Sequence, residues 1–281
     1  MKLYNKYILS IFFAVVSFAL CITNVSALGI INYNGIEITS DEYNTLLNLG
    51  FTANQIYYMD LETYNLNKDL DATLISQTQR YYKTEYSAYG IGTTTEITPE
   101  EYYSSGTPSL IAGTVQTTYK TVVSSIAQNG NKYRYNVAMG WKSMPSTRSY
   151  DIIGIGFFDD VYISSSVYFS YTWANASYQY TTSTQYYNKK STSSGGAAVY
   201  KLPSGTIKML AANLYYDVSK DTTNTITSLS ICGDYAHATT DVNVSNVWDY
   251  SISINGIVLG ATLNGSYDSI PCAMEYANVS W

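Results

Sequence analysis

The stretch VYISSSVYFSYTW, residues 161–173, alternates between two kinds of side chain. One set is largely apolar: Val161, Ile163, Val167, Phe169, Tyr171 and Trp173. The intervening set is polar or amphipathic: Tyr162, Ser164, Ser166, Tyr168, Ser170 and Thr172. Successive side chains of a β-strand point to opposite faces of a sheet, so this period of two predicts a strand with one face in a core.

The same period recurs through most of the chain. Residues 133–141 alternate in the same way, and a long strand is predicted before them at 114–127, joined through the turn sequence QNGNK at 128–132. Further strands are predicted at 72–86, 150–158, 177–188, 197–202, 206–218, 225–232, 242–245, 248–254, 257–263 and 272–280. The sequence therefore predicts a mainly β protein over residues 68–281, with antiparallel sheets packed as a sandwich or an elongated stack.

Residues 28–67 instead predict a small N-terminal cap of short helices. Three capping signals mark them: Thr39 with Glu42, Thr52 with Gln55, and Asp60. Another helical turn is predicted at 98–101, where Thr98 precedes Pro99. Helices this short are not stable alone, so we expect the cap to pack on itself or on a sheet.

The first 27 residues predict a signal peptide. Lys2 and Lys6 precede an apolar run from Ile8 to Ile22, and Val25-Ser26-Ala27 supplies the small residues for cleavage after Ala27. The alternative is an uncleaved anchor, but a spanning helix needs roughly 20 apolar residues. We therefore expect a secreted protein, extracellular or associated with the cell surface, with no membrane span after cleavage.

Cleavage would leave two cysteines in the chain, Cys232 and Cys272. An even number of cysteines in an oxidising compartment predicts a disulfide, and the alternative is two free buried thiols.

The charge of the chain excludes one class of partner. The formal net charge is −6, and loss of the two signal-peptide lysines would make it −8. Nucleic-acid binding needs a basic stripe, which an acidic chain with three arginines does not offer. The same argument excludes DNA binding by the segment SDEYNTLLNLGFTANQIYYM, residues 40–59, whose pattern is otherwise compatible with a helix-turn-helix.

Two short motifs near residue 155 resemble a cofactor-binding loop and a metal site, but both are compatible with an ordinary β-sheet. Gly154-Ile155-Gly156 lies inside a predicted strand and opens no helix, so we expect no dinucleotide cofactor. These glycines are expected to leave room for a facing aromatic ring or to mark a bulge. Asp159-Asp160 is interpreted as a hairpin turn and not as a metal site, because calcium needs more oxygen ligands than one pair supplies.

No catalytic residue is assigned from the sequence. The single histidine, His237, is predicted to be a loop residue beside the disulfide, since no nucleophilic triad or zinc site can be built around it. Carboxylates that could act as a glycosidase pair are scattered over separate strands: Glu85, Glu96, Asp151, Asp217 and Glu275. Only their separation in the fold would identify such a pair.

Tyrosine is the most informative residue type, with 31 of the 281 residues, while charged residues make up 13%. Tyrosine offers a large contact area with a polar tip, although it also fills half-buried strand positions well. The candidate ligand-binding residues are Tyr162 and Tyr168, on the outward side of their strand, and Arg148 with Asp151. Arg148 and Asp151 predict either a structural salt bridge or loop anchor, or a polar clamp at the end of a groove.

The helical start followed by a Tyr- and Thr-rich β region resembles uncharacterised exported proteins of Gram-positive bacteria. That resemblance implies no activity and no site residues. The sequence favours a secreted, non-enzymatic binding or surface-interaction protein whose partner is a glycan or a protein surface. Two alternatives stay open: a β-pore-forming protein, because 161–173 and 177–188 are long enough to span a bilayer as strands, and a secreted glycan-cleaving hydrolase.

Overall fold

A computed structural model describes residues 29–87, 92–105, 117–142 and 144–281. They form antiparallel sheets with short helices on one outer face, which confirms the predicted fold class. The predicted signal peptide and the predicted start of a strand at residue 114 lie outside the described residues. Within the described ranges, no helix combines the length and the hydrophobicity needed to cross a membrane.

The elements are numbered in chain order over the described residues. The helices are α1 (Ser40–Asn48), α2 (Ala53–Tyr57), α3 (Leu61–Asn67) and α4 (Pro99–Ser104). The strands are β1 (Ile30–Ile31), β2 (Glu37–Ile38), β3 (Ala72–Tyr86), β4 (Gly92–Ile97), β5 (Thr117–Asn129), β6 (Lys132–Trp141), β7 (Tyr150–Phe157), β8 (Val161–Ile163), β9 (Tyr168–Asn175), β10 (Tyr180–Ser183), β11 (Asn188–Thr192), β12 (Gly195–Lys201), β13 (Ile207–Lys220), β14 (Ser228–Ala238), β15 (Tyr250–Ser253), β16 (Gly256–Leu259), β17 (Tyr267–Ser269) and β18 (Ala273–Asn278).

Two large sheets face each other. The eight-stranded sheet has the order β10-β9-β13-β6-β5-β3-β4, and β8 also pairs with β13. The six-stranded sheet has the order β11-β12-β7-β14-β17, and β18 also pairs with β14. All of these pairings are antiparallel. The predicted hairpin at 128–132 is present, because Asn129 pairs with Lys132 and Gly130 adopts a φ of 60° in the turn.

The core between the sheets is built largely from aromatic and branched side chains. The eight-stranded sheet contributes Val122, Ile126, Tyr135, Val137, Met139 and Tyr216, among others, and the six-stranded sheet contributes Ile153, Ile155, Tyr200, Leu229, Ile231 and Tyr235. Buried tyrosine needs a partner for its hydroxyl group. The Tyr216 hydroxyl donates to the carbonyl of Ile155 at 2.9 Å, which ties the two sheets together.

The helical cap packs on the outer face of the eight-stranded sheet. The side chains of Thr39, Thr52 and Asp60 accept hydrogen bonds from backbone amides three residues later, which confirms the predicted capping signals. Thr98 caps α4 in the same way. The apolar side chains of the cap form a second cluster with Tyr215 of β13, so the cap and the sandwich share packing. The cap also contains the short β1–β2 ribbon, which its sequence did not predict.

The disulfide between Cys232 and Cys272 is present, as predicted. Cys232 lies in β14, and Cys272 immediately precedes β18, the strand that pairs with β14. The bond therefore joins two neighbouring chain segments within the six-stranded sheet.

We expect reduction of this disulfide to lower the free energy of unfolding by about 2–4 kcal/mol, because the bond closes a long loop of the unfolded chain. Denaturant unfolding with and without reductant measures the change. Thiol titration of the unreduced, denatured protein serves as the control and should detect no free thiol at Cys232 or Cys272. Two free thiols per chain in that titration would contradict the assignment.

The β15–β16 hairpin covers the outer face of the six-stranded sheet. A Cβ atom at Gly156 would overlap the carbonyl oxygen of Ser253 in this hairpin. The expectation of a facing aromatic ring or a bulge at Gly154 and Gly156 is therefore wrong, because the backbone of the β15–β16 hairpin packs directly against Gly156. The Asp234 carboxylate anchors the same hairpin by accepting a hydrogen bond from the Ile257 amide at 2.8 Å.

Burial raises the pKa of Asp234 to about 7, although two backbone amides donate to it. A carboxyl group whose pKa is higher in the folded than in the unfolded state stabilises the fold at low pH, and this contribution is lost as the pH rises toward the folded pKa. We expect Asp234 to lower the free energy of unfolding by about 3 kcal/mol between about pH 5 and pH 8. Asp234→Asn should flatten that slope in denaturant titrations, whereas Asp241→Asn, at an exposed carboxylate, should preserve it. An unchanged slope in Asp234→Asn would contradict the assignment.

Several sequence predictions differ from the structure at chain reversals. Residues 161–173 form two strands on β13, because the Ser165 hydroxyl accepts the hydrogen bond of the Asp217 amide and interrupts the ladder. The predicted strand at 177–188 separates into β10 and the start of β11, which belong to different sheets. The predicted strand at 242–245 is largely replaced by a 3-10 turn over Val244–Asn246, capped by Asn243. The strands β4 and β17 were not predicted because their short polar sequences do not alternate.

The Asp159-Asp160 pair is not a hairpin turn. It connects β7 and β8, which belong to different sheets. The Asp159 carboxylate accepts hydrogen bonds from the Ser230 amide at 2.8 Å and from the Tyr135 hydroxyl at 3.2 Å. Because Ser230 and Tyr135 lie in opposite sheets, this side chain fixes the crossover.

Candidate binding groove

A groove with a volume of about 260 Å³ lies between helix α3, strand β9 and the segment 184–189. Its lining includes Glu62 and Leu66 from α3, Tyr168 from β9, and Tyr186 and Lys189 from the third segment. Three parts of the chain that are distant in sequence therefore meet at one surface depression at the edge of the helical cap.

The floor of the groove is held in place by a buried polar cluster. The Tyr168 ring stacks on Tyr215 with centroids 5.0 Å apart. The Tyr215 hydroxyl accepts a hydrogen bond from Asn67 at 3.0 Å, and its ring lies 4.5 Å from the Arg134 guanidinium carbon. Arg134 donates to Asp217 at 2.7 Å and also to the side-chain oxygen of Asn67. Burial raises the pKa of Tyr215 to about 12, so this hydroxyl stays protonated.

One wall of the groove combines an aromatic ring with a cation. Tyr186 is 49% exposed, and the Lys189 ammonium lies 4.7 Å from the centre of its ring. Within the described part of the chain, no carboxylate lies within 4 Å of the Lys189 ammonium. The charge of Lys189 is therefore available to a bound partner.

Further exposed aromatic side chains lie outside the groove lining, beside Lys190 on the other face of β11. Tyr187 lies beside Trp248, with ring centroids 6.2 Å apart, and also packs on Tyr150. The Lys190 ammonium donates to the backbone carbonyls of Trp248 and Tyr250 and lies over the Tyr250 ring. Burial lowers the pKa of Lys190. Tyr187 and Trp248 are not part of the groove lining.

The two tyrosines selected from the sequence occupy different surroundings. Both point away from the core between the sheets, but Tyr168 is half-buried beneath the cap and lines the groove. Tyr162 is 49% exposed on β8, opposite Ser219, and is not part of the groove lining.

Arg148 and Asp151 do not meet as a clamp or as an ion pair. The Arg148 guanidinium donates to the carbonyls of Pro145 at 2.9 Å and Pro203 at 3.3 Å, so it anchors a loop. Asp151 is fully buried and accepts hydrogen bonds from the Tyr235 hydroxyl and the Ala238 amide. The short sequence spacing suggested contact, but adjacent elements direct the two side chains to different places.

His237 is buried in β14, so the prediction of a loop position is wrong. Its Nδ1 atom lies 3.0 Å from the Asp151 carboxylate, and its ring packs edge-on against Trp141. At 1% exposure the imidazole has no access to a substrate, so this contact stabilises the core.

The carboxylates proposed for glycosidase chemistry are each engaged separately. Glu85 pairs with Lys83, Glu96 with Arg80, Asp217 with Arg134, Asp151 with His237, and Glu275 accepts a hydrogen bond from Ser76. None of them lines the groove, where Glu62 is the one carboxylate among the lining residues. The groove therefore lacks the pair of carboxyl groups that glycoside hydrolysis requires.

The segments suggested as pore-forming hairpins are integrated into the sandwich. Strands β8 and β9 pair along β13, and Val161, Val167 and Phe169 are buried in the core. Membrane insertion of this segment would require the core to open, so the arrangement gives the pore hypothesis no support.

No family model matches this chain, and no curated protein does. Among solved structures, it is similar to the crystal structure of the collagen-binding domain of the surface protein RspB of Erysipelothrix rhusiopathiae, with 6% identity and a TM-score of 0.27. The match covers 58% of this chain and 66% of that chain, just under two thirds of its length. A likeness at this level carries no argument about function.

Proposed function

We propose that the protein is exported and binds a glycan or protein surface through the groove, without catalysing a reaction. The observation that carries this proposal is the exposed Tyr186–Lys189 wall beside Tyr168 on a rigid double-sheet scaffold. The disulfide supports export, because disulfides persist in oxidising compartments and are rare in the reducing cytosol.

The side chains at the groove are suited to contact. Tyrosine and tryptophan supply large contact areas at a low entropic cost and are enriched among the residues that dominate binding energies. The floor is already ordered by the stacking of Tyr168 on Tyr215, so binding does not have to order it.

The dimensions of the groove limit the part of the partner that it can hold. Pockets for whole small-molecule ligands usually measure roughly 300–1,000 Å³. The groove is smaller, at about 260 Å³, and fits a single sugar ring or side chain of a larger surface. The Lys189 ammonium favours a carboxylate or hydroxyl group of the partner at that point.

We expect a Tyr186→Ala and Lys189→Ala double variant to lose about 1–3 kcal/mol of binding energy, roughly 5- to 150-fold in affinity. Its stability should remain within about 0.5 kcal/mol of wild type, because both side chains are on the surface. A glycan array and a panel of extracellular proteins, followed by titration of any binder found, measure the effect.

Two further variants locate the binding surface. Tyr276→Ala removes a tyrosine that is 64% exposed on β18 and should bind like wild type. Tyr162→Ala tests the tyrosine selected from the sequence alone. A loss of binding in Tyr162→Ala with none in the double variant would place the contact surface on β8 and overturn the proposal for the groove.

A further inference from the structure

The core of the sandwich contains a lysine and an aspartate in direct contact. The Lys120 ammonium, on β5 of the eight-stranded sheet, lies 3.0 Å from Oδ2 of Asp268, on β17 of the six-stranded sheet. Their side chains are 0% and 1% exposed. A buried charge is costly even when paired, because the attraction does not fully offset the loss of hydration.

Hydrogen bonding around this pair is incomplete for two ions. An ammonium group has three donors, and a carboxylate has two acceptor oxygens. Among the described residues, the Lys120 ammonium has one hydrogen-bond acceptor, Asp268 Oδ2. Its nitrogen also lies 4.7 Å from the centre of the Trp141 ring and 5.8 Å from the centre of the Tyr235 ring. The other carboxylate oxygen, Oδ1, is buried and has no hydrogen-bond partner within the described ranges of the chain.

We propose that Lys120 and Asp268 are joined by an intramolecular amide bond that covalently links the two sheets. The hydrogen bond between Nζ and Oδ2 is the route for transferring one proton, which converts the ion pair into a neutral amine and a carboxylic acid. An environment of low polarity favours this neutral pair over two buried charges. A desolvated lysine amine is a competent nucleophile.

The reaction is a condensation that balances without a further reactant. The nitrogen lone pair of Lys120 attacks Cγ of Asp268, so a C–N bond forms and one C–O bond breaks. The departing oxygen takes the proton already transferred and a second proton from the nitrogen, and it leaves as water. The product is a neutral secondary amide in place of the two charges.

Tyr86 is placed to assist the departure of water. Its hydroxyl donates a hydrogen bond at 2.9 Å to Asp268 Oδ2, the oxygen that receives the proton from Lys120 and leaves as water. Burial raises the pKa of Tyr86 far above its ordinary value, so the hydroxyl keeps its proton and remains a donor.

Mass spectrometry of the purified, reduced and alkylated chain tests the proposal. We expect the measured intact mass to be lower, by the mass of one water molecule, than the mass calculated from the sequence of the alkylated chain. Trypsin should fail to cleave after Lys120, and the digest should contain residues 84–132 joined to residues 221–281 as a branched peptide. Fragmentation of this peptide should place the link at Lys120 and Asp268.

Controls distinguish the proposed amide bond from other reactions that remove one water molecule from the chain. Cyclisation of Asp268 onto the following amide would also remove one water but would leave residues 221–281 as a linear peptide, and that result would overturn the proposal. A full intact mass would overturn it as well. The buried pair of Arg134 and Asp217 provides an internal control, because a guanidinium is a poor nucleophile and trypsin should cleave normally after Arg134. In Lys120→Arg, both the loss of water and the branched peptide should disappear.

Discussion

Replacing Arg134 with alanine is expected to destabilise the protein by about 3–5 kcal/mol, the usual result of removing one member of a buried ion pair. The Arg134 guanidinium pairs with Asp217 at 2.7 Å and donates to Asn67 in helix α3. Its removal leaves the Asp217 charge and the Asn67 oxygen without their main partner beneath the cap. Because Asn67 also orients Tyr215, the helices should loosen before the sandwich does.

Denaturant unfolding measures the loss of stability, and hydrogen exchange over residues 40–67 measures the loosening of the helices. Arg80→Ala is the matched control, because Arg80 pairs with Glu96 where both side chains are partly exposed. Exposed pairs of this kind contribute about 0–1 kcal/mol. If Arg134→Ala cost no more than Arg80→Ala, the polar cluster would not hold the cap in place.

Replacing Asp151 with alanine is expected to cost about 3–6 kcal/mol, because each buried donor left unpaired costs about 1–3 kcal/mol. The carboxylate accepts hydrogen bonds from the Tyr235 hydroxyl and the Ala238 amide, and it contacts Nδ1 of His237. Tyr235 also accepts a hydrogen bond from the Trp141 indole at 3.1 Å, so the loss should reach the opposite sheet.

Urea titration followed by tryptophan fluorescence measures the global transition, to which Trp141 contributes as one of four tryptophans. Asp221→Ala removes an exposed carboxylate in a turn and should change the stability by less than about 0.5 kcal/mol. A comparably small change in Asp151→Ala would contradict the stabilising role of the buried hydrogen bonds to Asp151.

Local features of the fold were predictable because they depend on residues close in sequence. The capping oxygen of Thr39 and the fixed φ of Pro99 act within one helical turn, and the helices begin where these residues predict. The period of two correctly separated the faces of β6 and β9. The hairpin at Gly130 follows from a turn sequence of a few residues.

The arrangement of these strands depends on contacts that the pattern does not encode. The Asp159-Asp160 sequence has the composition of a hairpin turn, yet it crosses from one sheet to the other because Ser230 and Tyr135 bind Asp159. Gly156 was expected to face an aromatic ring or to mark a bulge, but it faces the backbone of a hairpin that lies almost a hundred residues later in the chain.

The candidate site was only partly predictable for the same reason. Tyr168 was selected because it lies on the outward face of its strand, but the same criterion selected Tyr162, which the cap does not reach. Tyr186 and Tyr187 stand next to each other in the sequence. The role of Tyr186 at a groove depends on the docking of α3, which the sequence places more than a hundred residues away.

Hydrogen exchange of the protein alone and saturated with a binder from the array tests the proposed binding surface most directly. We expect protection to concentrate in helix α3 and in residues 184–190, the two segments that flank Tyr168 across the groove. The β17–β18 region, which carries Tyr276, should exchange at the same rate in both samples. Protection confined to β17–β18 or to the segment around Tyr162, with no change at residues 184–190, would contradict the groove as the binding site.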